Sequence, residues 1–310
     1  MQEWQITLWS GDLARRGLLL LSLLLFGTNL AIYSDSTHGS DVCGDIGGID
    51  KRDSPRKFSI FDATAYLKKP DLSSLGIKPM KILDRGFWAQ ENYREAPDRD
   101  RVKAVVDKFP KDAAAIVLDI EHWPVRGDAA VVSASISKLH AVIAMFKMYA
   151  PDRMFGYFSL LPIRDYWRAI QGSRNPKYHE WQVENDVLVS LERDVDVMFP
   201  SVYTFYDDRA GWLKYAEAQI CEARRISKKP VFAFLWPEYH NSNAKLKGTF
   251  VDAAFWRLQL DTMRKYADGV VIWGGWDLAL NRAREWDDNA EWWQQTKEFA
   301  IQLKSSHVTP

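Results

Sequence analysis

One pattern constrains this chain more than any other. Short apolar runs ending in polar residues alternate with stretches of helical periodicity. The runs are Phe58–Asp62, Met80–Asp84, Ala114–Asp119, Met154–Phe158, Val195–Tyr203, Pro230–Trp236 and Gly269–Trp273. They are mostly β-branched or aromatic, as strands buried on both faces should be. Between them Val102, Val105, Val106 and Phe109 recur at i, i+3, i+4 and i+7. Leu139, Val142, Ile143 and Phe146 do the same, and Pro151 stops that helix. Further helices are expected near 183–194, 210–226, 250–266 and 290–304. Seven strands alternating with helices predict an α/β protein. The expected architecture is a single TIM-like (β/α) barrel, seven-stranded and distorted, over residues 58–304. No Gly-x-Gly-x-x-Gly follows the first strand, and there is no P-loop, nucleophile elbow or internal repeat.

The first residues do not share this pattern. Arg15 and Arg16 precede an apolar run from Gly17 to Phe26, with a weaker stretch to Tyr33. A basic pair before such a run fits an export signal or a short membrane anchor over residues 1–35. No cleavage site stands out, so both readings stay open, and a buried core helix is the blander alternative. Either export reading places the body outside the cytoplasm, secreted, periplasmic or membrane-anchored. Residues 36–57, polar and rich in Gly, Ser and Asp, read as a linker, and 305–310 as a tail.

The chain has 41 basic and 41 acidic side chains. A sequence-independent nucleic-acid binder needs many cationic contacts to phosphate, so that class is disfavoured. Two cysteines, Cys43 and Cys221, could pair in an oxidising compartment. The six histidines are scattered without metal-site spacing, so neither a metal nor another cofactor is expected. Fourteen tryptophans fit either a large core or a cleft lined with flat aromatic faces.

In barrels of this type chemistry sits at the C-terminal ends of the strands. Those ends carry Asp62, Asp84, Asp119 with Glu121, Tyr203, Glu238, and Trp273 with Asp277. Paired carboxylates beside aromatic platforms suit glycoside hydrolysis. The sharpest segment is Val117-Leu118-Asp119-Ile120-Glu121-His122-Trp123-Pro124. Side chains alternate along a strand, so Asp119 and Glu121 share a face while Ile120 turns toward the helices. Two carboxyls that close cannot both ionise freely, and the outer one, Glu121, is expected to keep its proton. The blander account is that Asp119 caps the next helix and Glu121 makes a salt bridge.

On these residues the sequence resembles the hyaluronidases, glycoside hydrolase family 56. Asp119-Ile120-Glu121-His122-Trp123 matches the first, third and fifth positions of that family's Asp-Trp-Glu-x-Trp motif. Phe155-Gly156-Tyr157-Phe158, Phe199-Pro200-Ser201-Val202-Tyr203, Lys229 to Tyr239 and Gly269 to Gly274 resemble its later blocks in the same order. The likeness spans roughly residues 58–280.

The resemblance implies a retaining mechanism assisted by the substrate's acetamido group. Glu121 would be the acid and then the base, Asp119 would orient the acetamido group, and Tyr203 would donate a hydrogen bond to the reacting sugar. Trp273 would pack against that sugar, although core packing accounts equally for Tyr203 and Trp273. Trp123, Asp62, Asp84, Tyr157, Glu238, Trp236, Trp276 and Asp277 complete the expected substrate contacts. The implied partner is an oligo- or polysaccharide containing N-acetylhexosamine, acted on by a monomer. The pattern departs from the family where its second tyrosine is Phe158 and where its Arg-Pro is Pro124-Val125. Its cysteine framework is also missing, which puts hyaluronan itself in doubt. A polyanion would want a cationic groove, for which Arg85, Arg126, Arg164 and Arg168 are the candidates. Two rival readings remain: a conventional retaining glycosidase with Glu238 as nucleophile, and a non-catalytic glycan-binding barrel.

Overall fold

The computed structural model describes residues 58–88, 93–109, 113, 115–277 and 279–306. The export or anchor segment, the linker, Cys43 and most of the tail lie outside these, and so does the proposed Cys43 pairing. Cys221 is buried and is not a free thiol.

The chain is α/β with parallel sheets. Its strands are β1 (Ser59–Thr64), β2 (Lys78–Pro79), β3 (Lys81–Leu83), β4 (Ile116–Leu118), β5 (Phe155–Tyr157), β6 (Phe232–Leu235) and β7 (Gly269–Gly274). Two further short strands, β8 (Trp276–Asp277) and β9 (Arg282–Ala283), form an antiparallel hairpin. The helices are α1 (Arg99–Val106), α2 (Ala129–Tyr149), α3 (Tyr166–Ala169), α4 (Pro176–Val187), α5 (Arg209–Ile226), α6 (Ala253–Tyr266) and α7 (Glu291–Ser306).

One sheet has the order β2-β1-β7-β6 and the other β3-β4-β5. The run expected at Met80–Asp84 holds β3, which pairs with β4, while β2, just before it, pairs with β1. The run expected at Val195–Tyr203 is not a continuous strand. It makes single parallel bridges, Phe158↔Phe199 toward β5 and Met198↔Val231 and Ser201↔Phe234 toward β6. Pro200 sits in its middle and has no N–H to give a ladder. This segment also comes unusually close to β5. A Cβ on Gly156 would lie 2.3 Å from the Val197 carbonyl oxygen and 2.8 Å from the Phe199 ring, so only glycine fits there.

Local chemistry fixes the helix starts. α1 to α6 each begin behind an Asp or Asn whose side chain accepts from first-turn N–H groups: Asp98, Asp128, Asp165, Asn175, Asp208 and Asp252. Asp128, not Asp119, caps the helix after β4. The helix expected from 183 starts earlier, at Pro176, because Asn175 caps it with proline in the first turn. α2 is apolar enough to cross a membrane by length and composition, with mean hydropathy 1.6. It is a core helix, burying Leu139, Val142, Ile143 and Phe146.

The strand residues divide between two apolar clusters. The inner one is built from strand-end and bridge residues, including Phe61, Val117, Phe158, Phe199, Tyr203, Phe234, Trp236 and Val271. The outer one joins Ile60, Leu83, Ile116, Leu118, Phe155 and Ile272 to the helices. Alternation along each strand then tells which side chains face the interior.

Candidate active site

β4 delivers the central pair. Val117 belongs to the inner cluster, while Leu118 and Ile120 belong to the outer one. Asp119 and Glu121 therefore continue the inner face, and Ile120 turns to the helices as alternation requires. The Asp119 backbone N–H donates to the Leu83 carbonyl at 2.9 Å, which extends the β3–β4 ladder to the candidate pair.

The two carboxyls differ in depth. Asp119 is half-buried, and burial pushes its pKa up to about 8, with the charges of Glu121 and Asp84 acting in the same direction and Arg164 against them. Its carboxyl shares a hydrogen bond with Glu121, while Oδ1 is buried without a partner among the described residues. Glu121 is open, its side chain 54% exposed, with Oε2 3.5 Å from Arg164 Nη2. The raised pKa thus falls on the inner residue, Asp119, because burial penalises its charged form.

An aromatic wall stands over the pair. Tyr203 is buried, and its ring lies 6.0 Å from Trp273 in a stacked arrangement, 5.6 Å from Trp236 and 5.7 Å from Phe158. Burial, reinforced by the Asp119 charge, holds the Tyr203 hydroxyl protonated, well above the usual phenol range. That makes it a hydrogen-bond donor at any physiological pH. Trp273 is half-buried at the end of β7, and Trp236 packs edge-on against it at 4.7 Å. Trp236 is itself buried and forms the floor rather than an open face.

His240 completes this wall, 4.7 Å from Phe205 and 6.2 Å from Tyr203. Burial, aided by Arg164, lowers its pKa to about 4, so the ring is neutral. Nδ1 accepts the Ser242 backbone N–H at 3.2 Å, which leaves the ring proton on Nε2.

Asp84 belongs with the pair. It follows Ile82 on the inner face of β3, and its charge raises the Asp119 pKa. Asp62 does not. It shares the outer face with Ile60, where it accepts from Lys69 Nζ at 2.5 Å and from the Thr64 hydroxyl at 2.7 Å. Tyr157 is likewise on the outer face of β5, buried, donating its hydroxyl to the Leu139 carbonyl of α2 at 2.6 Å. Trp123 is a core residue too, its indole N–H donating to the Tyr93 carbonyl at 2.6 Å. The expected substrate contacts of Asp62, Tyr157 and Trp123 are therefore corrected to structural roles.

Glu238 is only 1% exposed, and Oε2 lies 3.3 Å from Arg284 Nη2. Burial raises its pKa while Arg284 opposes. Asp277 approaches the same guanidinium at 3.8 Å and accepts the Ala279 and Leu280 backbone N–H groups. Trp276, beside it on β8, is half-buried. Glu238 thus has a cationic partner and no open approach, which disfavours the conventional nucleophile.

The arginines proposed for a cationic groove are mostly engaged. Arg85 donates to Asp84 at 2.8 Å. Arg168 holds Asp165 and Glu184, and Arg126 pairs with Glu184 at 3.0 Å while donating to the Arg164 carbonyl. Only Arg164 of the four reaches the carboxylate pair. Among the described residues no three His, Cys, Asp or Glu side chains converge to hold a metal ion.

No protein-family model and no curated protein matches the sequence. Solved structures do. Bee venom hyaluronidase is 16% identical with a TM-score of 0.54, the match covering 80% of this chain and 96% of that one. The same enzyme in complex with a hyaluronic acid tetramer gives the same identity and score over 80% of this chain and 95% of that one. The likeness is one of fold. The chain has a glycoside hydrolase-like fold, and its site residues stand on the geometry above.

Proposed function

We propose that this protein is a glycoside hydrolase that cleaves N-acetylhexosamine-containing glycans with retention, using the substrate's own acetamido group. One observation carries the reading: Asp119 and Glu121 leave one strand end on one face, the inner carboxyl half-buried with a raised pKa and the outer one open. In the reaction the acetamido oxygen attacks the anomeric carbon as Glu121 protonates the departing glycosidic oxygen. The Asp119 carboxyl orients the acetamido group by accepting its N–H, and the proton held on Asp119 passes to Glu121. Water then attacks the anomeric carbon, giving its proton to Glu121, and the C–O bond to the acetamido oxygen breaks, so the second inversion restores the configuration of the anomeric carbon. Tyr203 and neutral His240 donate hydrogen bonds at the reacting sugar, and Trp273 packs on its apolar face.

The frame for this chemistry is a ring of seven strand positions. It is supported by the two sheets, by the Met80 N–H donating to the Asp62 carbonyl, and by the bridges from β5 through 195–204 to β6. The engaged arginines favour a neutral polymer over a polyanion, although the hyaluronidase neighbour holds a hyaluronic acid tetramer. The reading includes export through residues 1–35, as a cleaved signal or an anchor, and action as a monomer. Incubation with hyaluronan, chondroitin, chitin oligomers and peptidoglycan, reading new reducing ends, tests it. A thiazoline mimic of the acetamido intermediate should inhibit. Hydrolysis that the thiazoline leaves untouched would argue for another mechanism at this site.

A further inference from the structure

A second aromatic group lies on the strand-end loops, beyond the catalytic wall. Trp167, on α3, is 60% exposed, and Tyr206, just after the bridged segment, is 36% exposed. Their rings lie 5.1 Å apart. Leaving an indole that open forfeits most of the stabilisation its burial would give, and exposed aromatic surface of this kind marks interaction sites.

The pair is held in place from below. Tyr166, buried, touches Trp167 at 5.3 Å and Tyr206 at 5.1 Å, and packs in turn on Tyr215 and Phe205. Arg168 ties the short α3 turn to Glu184 of α4. The two open rings therefore sit on a fixed base rather than on a loose loop. Ring contacts continue from this base to the catalytic wall, from Tyr166 to Phe205, then His240, Tyr203 and Trp273.

We propose that Trp167 and Tyr206 form a distal subsite for a hexopyranose unit of the glycan whose scissile bond lies at Asp119 and Glu121. The inference rests on the glycosidase reading. A pyranose presents an apolar C–H face that packs on aromatic rings while its hydroxyls stay in water. The flanking Asp207 and Asp208 accept from Tyr239 and from the first turn of α5, and they place negative charge beside the platform. A neutral sugar fits there, whereas a uronate or sulfated unit would be repelled. The platform makes the enzyme prefer chains long enough to reach both sites.

The test compares a trimer and a hexamer of β-1,4-linked N-acetylglucosamine on the full chain. Trp167→Ala should lower kcat/KM on the hexamer about tenfold more than on the trimer, mainly through KM, and Trp167→Phe should recover most of it. Calorimetry of the hexamer on Glu121→Gln against Glu121→Gln/Trp167→Ala should show about tenfold weaker binding. Equal losses on both lengths, or unchanged hexamer binding, would overturn the platform. Cleavage of the hexamer with no length-dependent loss sinks the platform alone. A wild-type protein that neither binds nor cuts either oligomer sinks the platform, and one that also leaves hyaluronan, chondroitin and peptidoglycan uncut sinks the N-acetylhexosamine reading with it.

Discussion

The guanidinium of Arg164 stands 3.5 Å from Glu121 Oε2, and its charge also reaches Asp119, Tyr203 and His240. One cation thus acts on several polar groups of the proposed site. It lowers the Asp119 pKa while helping to keep His240 neutral. Because the Glu121 end is exposed, the contact contributes little to stability. Its effect is on proton position.

Removing that cation should therefore move the pH profile. Arg164 lowers the Asp119 pKa, so Arg164→Gln should raise it, and the alkaline limb of kcat/KM should shift to higher pH. Full pH–rate curves for both proteins decide it; a limb that stays put or moves down contradicts the assignment.

Glu121→Gln should keep the fold and abolish detectable hydrolysis, and Asp119→Asn should slow it by about 10²–10⁴-fold. Reducing-end assays and thermal melts on the same preparations separate catalysis from folding. Full activity of the Glu121 variant would falsify the mechanism.

The raised Asp119 pKa also predicts a stability trend. The folded state binds this proton more tightly than the unfolded chain, whose carboxyl titrates near 3.8. The contribution is therefore fully present at acid pH and lost as pH rises from about 3.8 to about 8. Denaturant titrations across that window should show wild-type stability falling relative to Asp119→Asn. A constant difference between the two would place the proton elsewhere.

Glu238→Gln distinguishes the two retaining mechanisms. With Glu238 buried against Arg284, the substitution should lower stability by about 1–3 kcal/mol and leave most of the activity. Loss of activity with an unchanged melting curve would instead identify Glu238 as a nucleophile.

Tyr157→Phe removes a buried hydrogen bond to the Leu139 carbonyl and nothing from the mouth. A loss of about 1–2 kcal/mol with unchanged KM is expected. A raised KM at unchanged stability would return Tyr157 to the substrate site.

The alternation of strands and helices, and the pairing of Asp119 with Glu121, were legible in the sequence because both follow from short-range periodicity. A residue and its second neighbour must share a strand face whatever the rest of the molecule does. Ile120 between them is apolar and marks the opposite face as the core side. Which face of a strand looks inward was not legible for β1 or β5. Ile60 and Phe61, like Phe155 and Phe158, are apolar on both sides, since strands covered on both faces carry no polar stripe. Asp62 and Tyr157 were therefore read as facing the mouth when they face the helices. Trp123 misled for a related reason: a large aromatic buries as readily behind a strand end as beside a substrate.

Depth and charge partners were decided by tertiary structure alone. Asp119 keeps the proton because neighbouring chain covers it and leaves Glu121 in the open, a difference of desolvation that no spacing encodes. Arg126 and Arg168 look like free cations in the sequence, and only folding brings Glu184 against both of them, whereas Arg85 takes its own neighbour Asp84. Local periodicity determined most of the strands and put Asp119 and Glu121 on one face. Burial and long-range pairing determined where the proton sits, which arginine reaches it, and which aromatics remain open for a sugar.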